Sequence, residues 1–290
     1  MFVAIGWVVV LFSVIGSFVF EGGHLMALLQ PFELLCIFGA AFGAYVVSNP
    51  VSTLKKTLKA LPTCFHGPRY DKSKYIELIA LLYELMQKAR KEGMMTLEAD
   101  VDNPDESVLF QKYPRIVNDH HLRDFIIDYL RMMSTGNINV LEMQDLMDEE
   151  LVTHHAEESL VANAIQKMAD ALPAFGIVAA VMGVVHTMGS VGAAPAVLGE
   201  MIAGALVGTF LGILLSYGFV GPVAELLHAK GRAAAKPYHC VKAVLLASLS
   251  GYAPSVAAEF GRKVLFTLDR PTFQELDDAV RATKMPKASS

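Results

Sequence analysis

Residues 171–222 hold two long apolar runs placed almost end to end, and no other feature limits the fold as strongly. The first reads ALPAFGIVAAVMGVVHTMGS, the connector VGAAPAVLGE, and the second MIAGALVGTFLGILLSYGFVGP. About 20 helical residues at 1.5 Å rise span roughly 30 Å of hydrocarbon, so each run is long enough to cross a bilayer. No Asp, Glu, Lys or Arg occurs from Leu172 to Gly199 or from Met201 to Ala224. Each run carries a stripe of small and weakly polar residues at i, i+4, i+7, i+11. Gly176, Ala180, Gly183 and Thr187 form the first stripe, and Ala205, Thr209, Gly212 and Ser216 the second. That spacing gathers each set on one helical face. Gly204, Gly208 and Gly212 add a double GxxxG. Lipid gives apolar side chains no reason to seek one another, so helices in it associate by the close backbone approach that small residues permit. The pair is predicted to pack tightly against other helices, and plain packing would account for any single Gly or Ala. Pro173 near the start of the first run and Pro222 at the end of the second each remove a backbone donor. Each either bends a helix or marks its boundary.

Two further apolar runs lie near the N-terminus, at about 2–20 and 32–49. No basic residue precedes the first and no small-residue cleavage site follows it, so a retained span is expected rather than a signal peptide. Trp7 is an interface or packing residue of that span. A polar turn is expected from Glu21 to about Gln30, and Glu33 sits at the mouth of the second span. Residues 1–54 contain no Lys or Arg, and all basic residues fall from Lys55 to Lys167 or from Lys230 onward. Lys/Arg excess marks the cytoplasmic side of a span. The expected organisation follows from that bias. Spans one and two occupy 1–51, a helical cytoplasmic domain 52–170, spans three and four 171–222, and a cytoplasmic helical tail 223–290, with both termini inside. The fold class is all-α, a polytopic membrane protein with four transmembrane helices and a large helical cytoplasmic domain. The composition agrees: 53% of residues are hydrophobic and the mean hydropathy is +0.42, more apolar than an ordinary soluble domain.

The cytoplasmic segments read as helices. Ser73 is the expected cap of a helix that stops at Gly93, with Ile76, Ile79, Leu82, Tyr83 and Met86 on its apolar face. A loop is expected around Asn103-Pro104. Asn118 is the expected cap of a helix ending near Gly136, and Asn139 with Glu142 opens a helix that nothing stops before Leu172. The last span is expected to continue outward past Pro222. Residues 238–253 are amphipathic or buried, broken by Gly251 and Pro254. Thr272 and Glu275 form a capping box for a short final helix leading into a frayed tail, KMPKASS.

Several function classes fall away. A net charge of −5 argues against a nucleic-acid partner, which wants a basic face. Cys36, Cys64 and Cys240 are far apart and form no CxxC, so they read as free thiols. His120-His121 and His154-His155 are adjacent pairs, which a helix splits between faces, so no metal site is expected. No phosphate-binding Gly loop, GxSxG or HExxH is present, and no enzymatic activity or cofactor is expected. Intramembrane ionisable groups usually mark ion pathways. Here no carboxylate or basic side chain lies near mid-depth, and His186 sits toward the far end of the third span. Either the chain carries no ion, or a partner supplies the acid. In the second case Thr209 offers a hydroxyl that can hold a water, although it could equally bond a carbonyl of its own helix. Arg90, Lys91, Glu92 and Glu98 cluster near a helix end, where charge runs are usually solvated faces.

The stretches MADALPAFGIVAAVMGVVH at 168–186, VGTFLGILLSYGF at 207–219, ARKEGMMTLEADV at 89–101 and GYAPSVAAEFGRK at 251–263 resemble the MotA family of flagellar motor stator subunits. The resemblance runs over most of the chain. It implies an inner-membrane proton channel subunit that assembles as a homo-pentamer around a dimer of a single-span partner, MotB. An aspartate in MotB would take up the ion, and the resulting motion would push the rotor protein FliG. Residue by residue, the resemblance assigns Pro173 and Pro222 to coupling ion flow to movement, Thr209 to the ion path, and Arg90 and Glu98 to the rotor contact. Gly176, Gly183, Thr187, Gly204, Gly208, Gly212 and Ser216 remain the helix-packing face. Sodium-driven relatives carry threonine where this chain has Ala180. A bare cation prefers oxygen ligands, so protons are the expected coupling ion. The alternative is a proton-driven subunit of the related ExbB/TolQ type, which has three spans.

Overall fold

The computed structural model describes residues 2–67, 69–136 and 139–284, and among them there is no β-strand. Four helical stretches of the described residues are long and apolar enough to cross a membrane: Phe2–Phe20, Leu25–Ser48, Val140–Met188 and Pro195–Leu249. The first is helix α1 (Phe2–Phe20). The connector expected to be a polar turn contains a one-turn helix, α2 (Leu25–Leu28), before α3 (Pro31–Ser48). Helix α4 (Val51–Ala60) follows directly, and α5 spans Lys72–Glu92. The loop expected around Asn103-Pro104 is present, residues 103–107, and it lies between short helices α6 (Glu98–Asp102) and α7 (Val108–Gln111), with α8 (Pro114–Val117) following. Helix α9 runs His120–Ser134 and α10 Val140–Met188, continuous through Pro173. Helix α11 (Pro195–Ile213) leads through one π-helical stretch, Leu214–Val220, into α12 (Gly221–Leu249). The expected outward continuation past Pro222 is therefore present. Helices α13 (Pro254–Lys263) and α14 (Phe273–Lys284) complete the fold. The tail expected to fray lies, from residue 285 onward, outside the described residues.

The π-helical stretch has a local cause. Pro222 cannot donate a hydrogen bond, and its ring crowds the carbonyl four residues before it. The wider turn moves the ladder out of register, and the Gly221 amide donates to the Ser216 carbonyl. A Cβ on Gly221 would stand 2.9 Å from that oxygen, so only glycine fits there. Such single wide turns are a usual way for a helix to absorb a proline.

The chain forms two compact units. One comprises Met1–Gly67 with Glu157–Gly231, the other Pro68–Ala156 with Arg232–Ser290. Compactness thus groups α4 and the lower part of α10 with the apolar helices. The first unit has two small cores, one around Val161, Ile165, Val223 and Leu227, the other around Ile37, Ala41, Leu172 and Ala179. Trp7 is a packing residue, edge-on to Phe65 at 6.0 Å and beside Phe219 at 5.8 Å. Helix α1 buries none of its residues. A unit with so much apolar surface outward is built for lipid or further helices.

The second unit is organised on α5. Tyr75, Leu78, Ile79, Leu81, Leu82, Leu85 and Met86 are all buried. The expected single apolar face is therefore only part of the buried surface, and Ile76 is half-buried. A helix enclosed by α7, α8, α13 and α14 is apolar on more than one side, and a one-face periodicity understates it. Two expected caps are corrected. Asp71, not Ser73, caps α5, its carboxylate accepting from the Lys74 amide at 2.7 Å. Asp119, not Asn118, is the residue before α9, and its carboxylate bonds side chains rather than the helix end. Gly93 (φ 96°) and Gly136 (φ 75°) take the left-handed conformations that end their helices. Asn139 accepts from the Leu141 amide at the start of α10. The Thr272/Glu275 box forms in both directions, at 2.6 and 3.2 Å.

Candidate functional site

The small residues of α10 and α11 meet each other within this one chain. A Cβ on Gly176 would lie 3.0 Å from the Gly208 carbonyl and 3.2 Å from Gly212 Cα. One on Gly212 would lie 2.7 Å from the Leu172 carbonyl, and one on Gly183 2.6 Å from Ala205 Cβ. Gly208 faces Ala179 and the Ala180 amide at 3.2 and 3.3 Å. The backbones touch because nothing but hydrogen separates them, which is the association that lipid rewards. Gly204 departs from this group and faces the Gln30 side chain of the α2–α3 link.

The polar members of the two stripes behave differently. Thr187 is buried and its hydroxyl donates to the Gly183 carbonyl of its own helix at 2.9 Å. Ser216 is buried at the π-helical stretch. Thr209 is half-buried, its Cα 3.4 Å from the Cβ position of Gly176. Among the described residues its hydroxyl makes no hydrogen bond, unlike that of Thr187 one helix away. Thr209, Ala180 and Gly176 therefore share one seam. Pro173 is half-buried in α10, next to the Leu172 carbonyl that Gly212 admits. Pro222 is exposed at the start of α12, just past the wide turn. The α10 and α11 surfaces away from the seam stay apolar and open, with Ile177, Val178, Val181, Met182, Leu206 and Ile213 exposed. The seam can offer a hydroxyl and a close-packed wall, but no carboxylate.

Arg90 and Glu98 lie in the second unit. Arg90 is on the last turn of α5 and Glu98 opens α6, with Gly93 and the 3₁₀ turn Met94–Leu97 between them. Both are exposed, and among the described residues neither enters an ion pair. Their surroundings, by contrast, are tied down. Lys88 pairs with Asp100 at 2.6 Å, and the Ser107 hydroxyl donates to the same carboxylate at 2.6 Å. Buried Glu84 accepts from Lys112 at 2.6 Å and from Tyr113 at 2.9 Å. Glu84, Lys88, Asp100 and Ser107, with Lys91, Glu92 and Glu106, line a cavity of about 670 Å³. Rigid neighbours hold two free charges of opposite sign outward, which suits recognition of a charged protein surface. Sequence reading missed these braces because their partners are distant in the chain and only the folded α5–α8 segment joins them.

A second anchor is Asp119. It accepts from Arg69 at 2.7 Å and Lys74 at 3.2 Å, and from the Tyr70 hydroxyl. Burial opposes its charge. The Tyr70 hydroxyl and the two cations outweigh that and hold the carboxyl below its ordinary range. His239 on α12 is moved downward as well, by burial first and then by the neighbouring Lys236 and Lys242.

The chain resembles known proteins along almost its whole length. Residues 4–93 match the family model for the motility protein A N-terminal region. Residues 118–239 match that of the MotA/TolQ/ExbB proton channel family. Motility protein A of Salmonella typhimurium is 51% identical over 286 residues, covering 99% of this chain and 97% of the relative. Motility protein A of Escherichia coli is 50% identical with the same coverage. The flagellar MotAB stator complex from Bacillus subtilis has a similar chain, with a TM-score of 0.69 at 25% identity, covering 95% of this chain and 98% of that one. The C. jejuni MotAB structure shares the fold, with a TM-score of 0.74 at 21% identity, 93% of this chain and 98% of that chain being covered.

Proposed function

The chain belongs to the motility protein A family of the MotA/TolQ/ExbB proton channels, and on that premise we propose how its seam and its free charges drive a flagellar motor. It is the stator subunit, a multi-pass protein of the inner membrane, that converts proton motive force into torque. In this reading a homo-pentamer surrounds a dimer of the single-span partner MotB, both termini are cytoplasmic, and the second unit meets the rotor protein FliG. The observation that carries the reading is an intramembrane seam with a free Thr209 hydroxyl and no acid of its own. A carboxylate on a partner helix would complete it.

The physical sequence follows from what each group does. A charged carboxylate in a low-dielectric environment seeks hydrogen-bond donors, whereas its neutral form tolerates an apolar wall. Thr209 supplies the donor, directly or through a water. Ala180 beside it supplies methyl rather than oxygen, which favours protons over a bare cation as the coupling ion. Each protonation therefore changes which subunit face the partner helix prefers. Pro222 follows the wide turn where the helix leaves its regular ladder, and Pro173 removes one donor from the otherwise continuous α10, so they are the places to turn a local preference into helix movement. Arg90 and Glu98 then act as the outward pair that engages complementary charges on the rotor. No chemical bond changes hands, so the protein works as a machine part rather than an enzyme.

Replacing Thr209 by Val keeps its shape and removes the hydroxyl. It should cut swimming torque several-fold while leaving co-purification with the partner unchanged. Pro173→Ala should do the same. If both variants swim normally, the assignment of these residues is wrong. A sodium requirement for swimming would overturn protons as the coupling ion. The ExbB/TolQ-type alternative shares the channel model at 118–239 but leaves unexplained the motility-specific match at 4–93.

A further inference from the structure

Helix α4 has three differently composed faces. Thr53 and Thr57 point inward and are buried. They are held there by a relay in which Tyr45 donates to the Thr57 hydroxyl at 2.7 Å and Thr57 donates to the Thr53 carbonyl at 2.9 Å. At ~100° per residue, the outward arc divides in two. Leu54, Val51 and Leu58 fall on one flank, with Val51 66% and Leu58 72% exposed. Lys55, Lys59 and Lys56 fall on the other, all exposed. Among the described residues none of these lysines enters an ion pair, and no acidic residue occurs between Glu33 and Asp71. The helix follows α3 after Asn49 and Pro50, both in extended conformation, so the span ends sharply where α4 begins. Beyond α4, Lys230 donates to the Thr63 and His66 carbonyls and fixes the turn that leaves Leu61 and Phe65 exposed.

A helix that merely flanks a span needs cations but no apolar flank beside them. A helix that packs only on protein has no use for exposed leucine next to unpaired lysine. Protein on one side, acyl chains on the second and phosphate on the third satisfy all three faces together. We propose that α4 is an interfacial helix that binds the phosphate headgroups of anionic phospholipids through Lys55, Lys56 and Lys59, with Val51, Leu54 and Leu58 seated at the acyl boundary. The leaflet concerned rests on the orientation proposed above, whereas the lipid preference does not. The consequence for the motor is an anchored collar: the lipid-bound α4 holds Tyr45 and the end of α3 still while α10 and α11 move.

The test uses the full chain in complex with its partner, delipidated in detergent and titrated with phosphatidylglycerol or phosphatidylcholine, with retained lipid counted by native mass spectrometry. Wild type should retain phosphatidylglycerol at least tenfold better. Each Lys→Gln change at 55, 56 or 59 should weaken that retention about fivefold, and the triple Lys→Arg variant should restore it. Leu58→Ser should weaken retention of both lipids alike. Equal retention of the two lipids by wild type, or an unchanged preference in the triple Gln variant, overturns the proposal and leaves α4 as a surface for another protein copy. The wild-type comparison stands even if a charge-removed variant fails to insert. The leaflet is read separately, by labelling Ser52→Cys with an impermeant thiol reagent from each side.

Discussion

At the scale of single residues, glycine positions that look alike in sequence separate by what lies opposite them. Gly212 faces a carbonyl and a Cα of α10 at 2.7 and 3.0 Å, atoms that cannot turn aside without parting the two helices. Gly204 faces the end of the Gln30 side chain, which can swing away. Gly39 has nothing within 4 Å. Gly212→Ala should therefore destabilise the complex by about 1–3 kcal/mol through overpacking and stop swimming. Gly39→Ala should leave thermal stability within about 0.5 kcal/mol of wild type. A thermal melt of the purified complex with a swimming assay reads both, and equal tolerance at the two sites would show that the seam opens freely. The spacing of the stripes disclosed that close approach occurs. It could not disclose which helix each glycine approaches, because GxxxG reads the same whether its partner is in the same chain or another. The pattern likewise left open whether the Thr209 hydroxyl bonds a carbonyl of its own helix, as that of Thr187 does. Only the backbone positions decide that one hydroxyl is spent on its own helix and the other left open.

At the scale of elements, the long helices were legible because each is a run of composition, and α10 and α12 continue past their spans because nothing in the sequence stops them. Their ends were harder. Asp71 rather than Ser73 caps α5 because Asp71 holds the extended conformation (φ −114°, ψ 169°) from which a side chain reaches the first turn. Ser73 already lies inside the helix. The wide turn at Leu214–Val220 has no signature beyond Gly221-Pro222, and its cause is steric. Asp119, which precedes α9, and the half-buried His239 of α12 also set a pH dependence. Asp119 and His239 both have lowered values in the fold, so the folded state binds fewer protons than the unfolded one in their ranges. Their stabilisation is complete above the unfolded values, ~6.5 for His and ~3.9 for Asp. It is lost as pH falls through the folded values, first that of His239 and then that of Asp119. Hydrogen-exchange protection around α9 and α12, taken relative to the intrinsic exchange rate at each pH, should therefore fall on acidification below about pH 6.5. His239→Gln should remove the upper part of that response. A response that survives His239→Gln unchanged would assign it to other groups.

At the scale of the whole molecule, the chain is an incomplete device. It contributes four spans, a glycine seam with the open Thr209 hydroxyl, and a second unit whose free charges are braced by Glu84, Lys88 and Asp100. The absence of a mid-depth carboxylate is legible in the sequence and is its most informative absence. The braces of the second unit were not legible, because Lys112–Glu84 and Lys74–Asp119 join residues 28 and 45 positions apart. The most direct measurement is proton flux into vesicles containing this chain alone, the chain with its partner, and the chain with a partner whose membrane aspartate is replaced by asparagine. Flux should appear only with the unaltered partner and should fall several-fold when Thr209 is valine. Flux through this chain alone, or undiminished flux with the asparagine partner, would contradict the account.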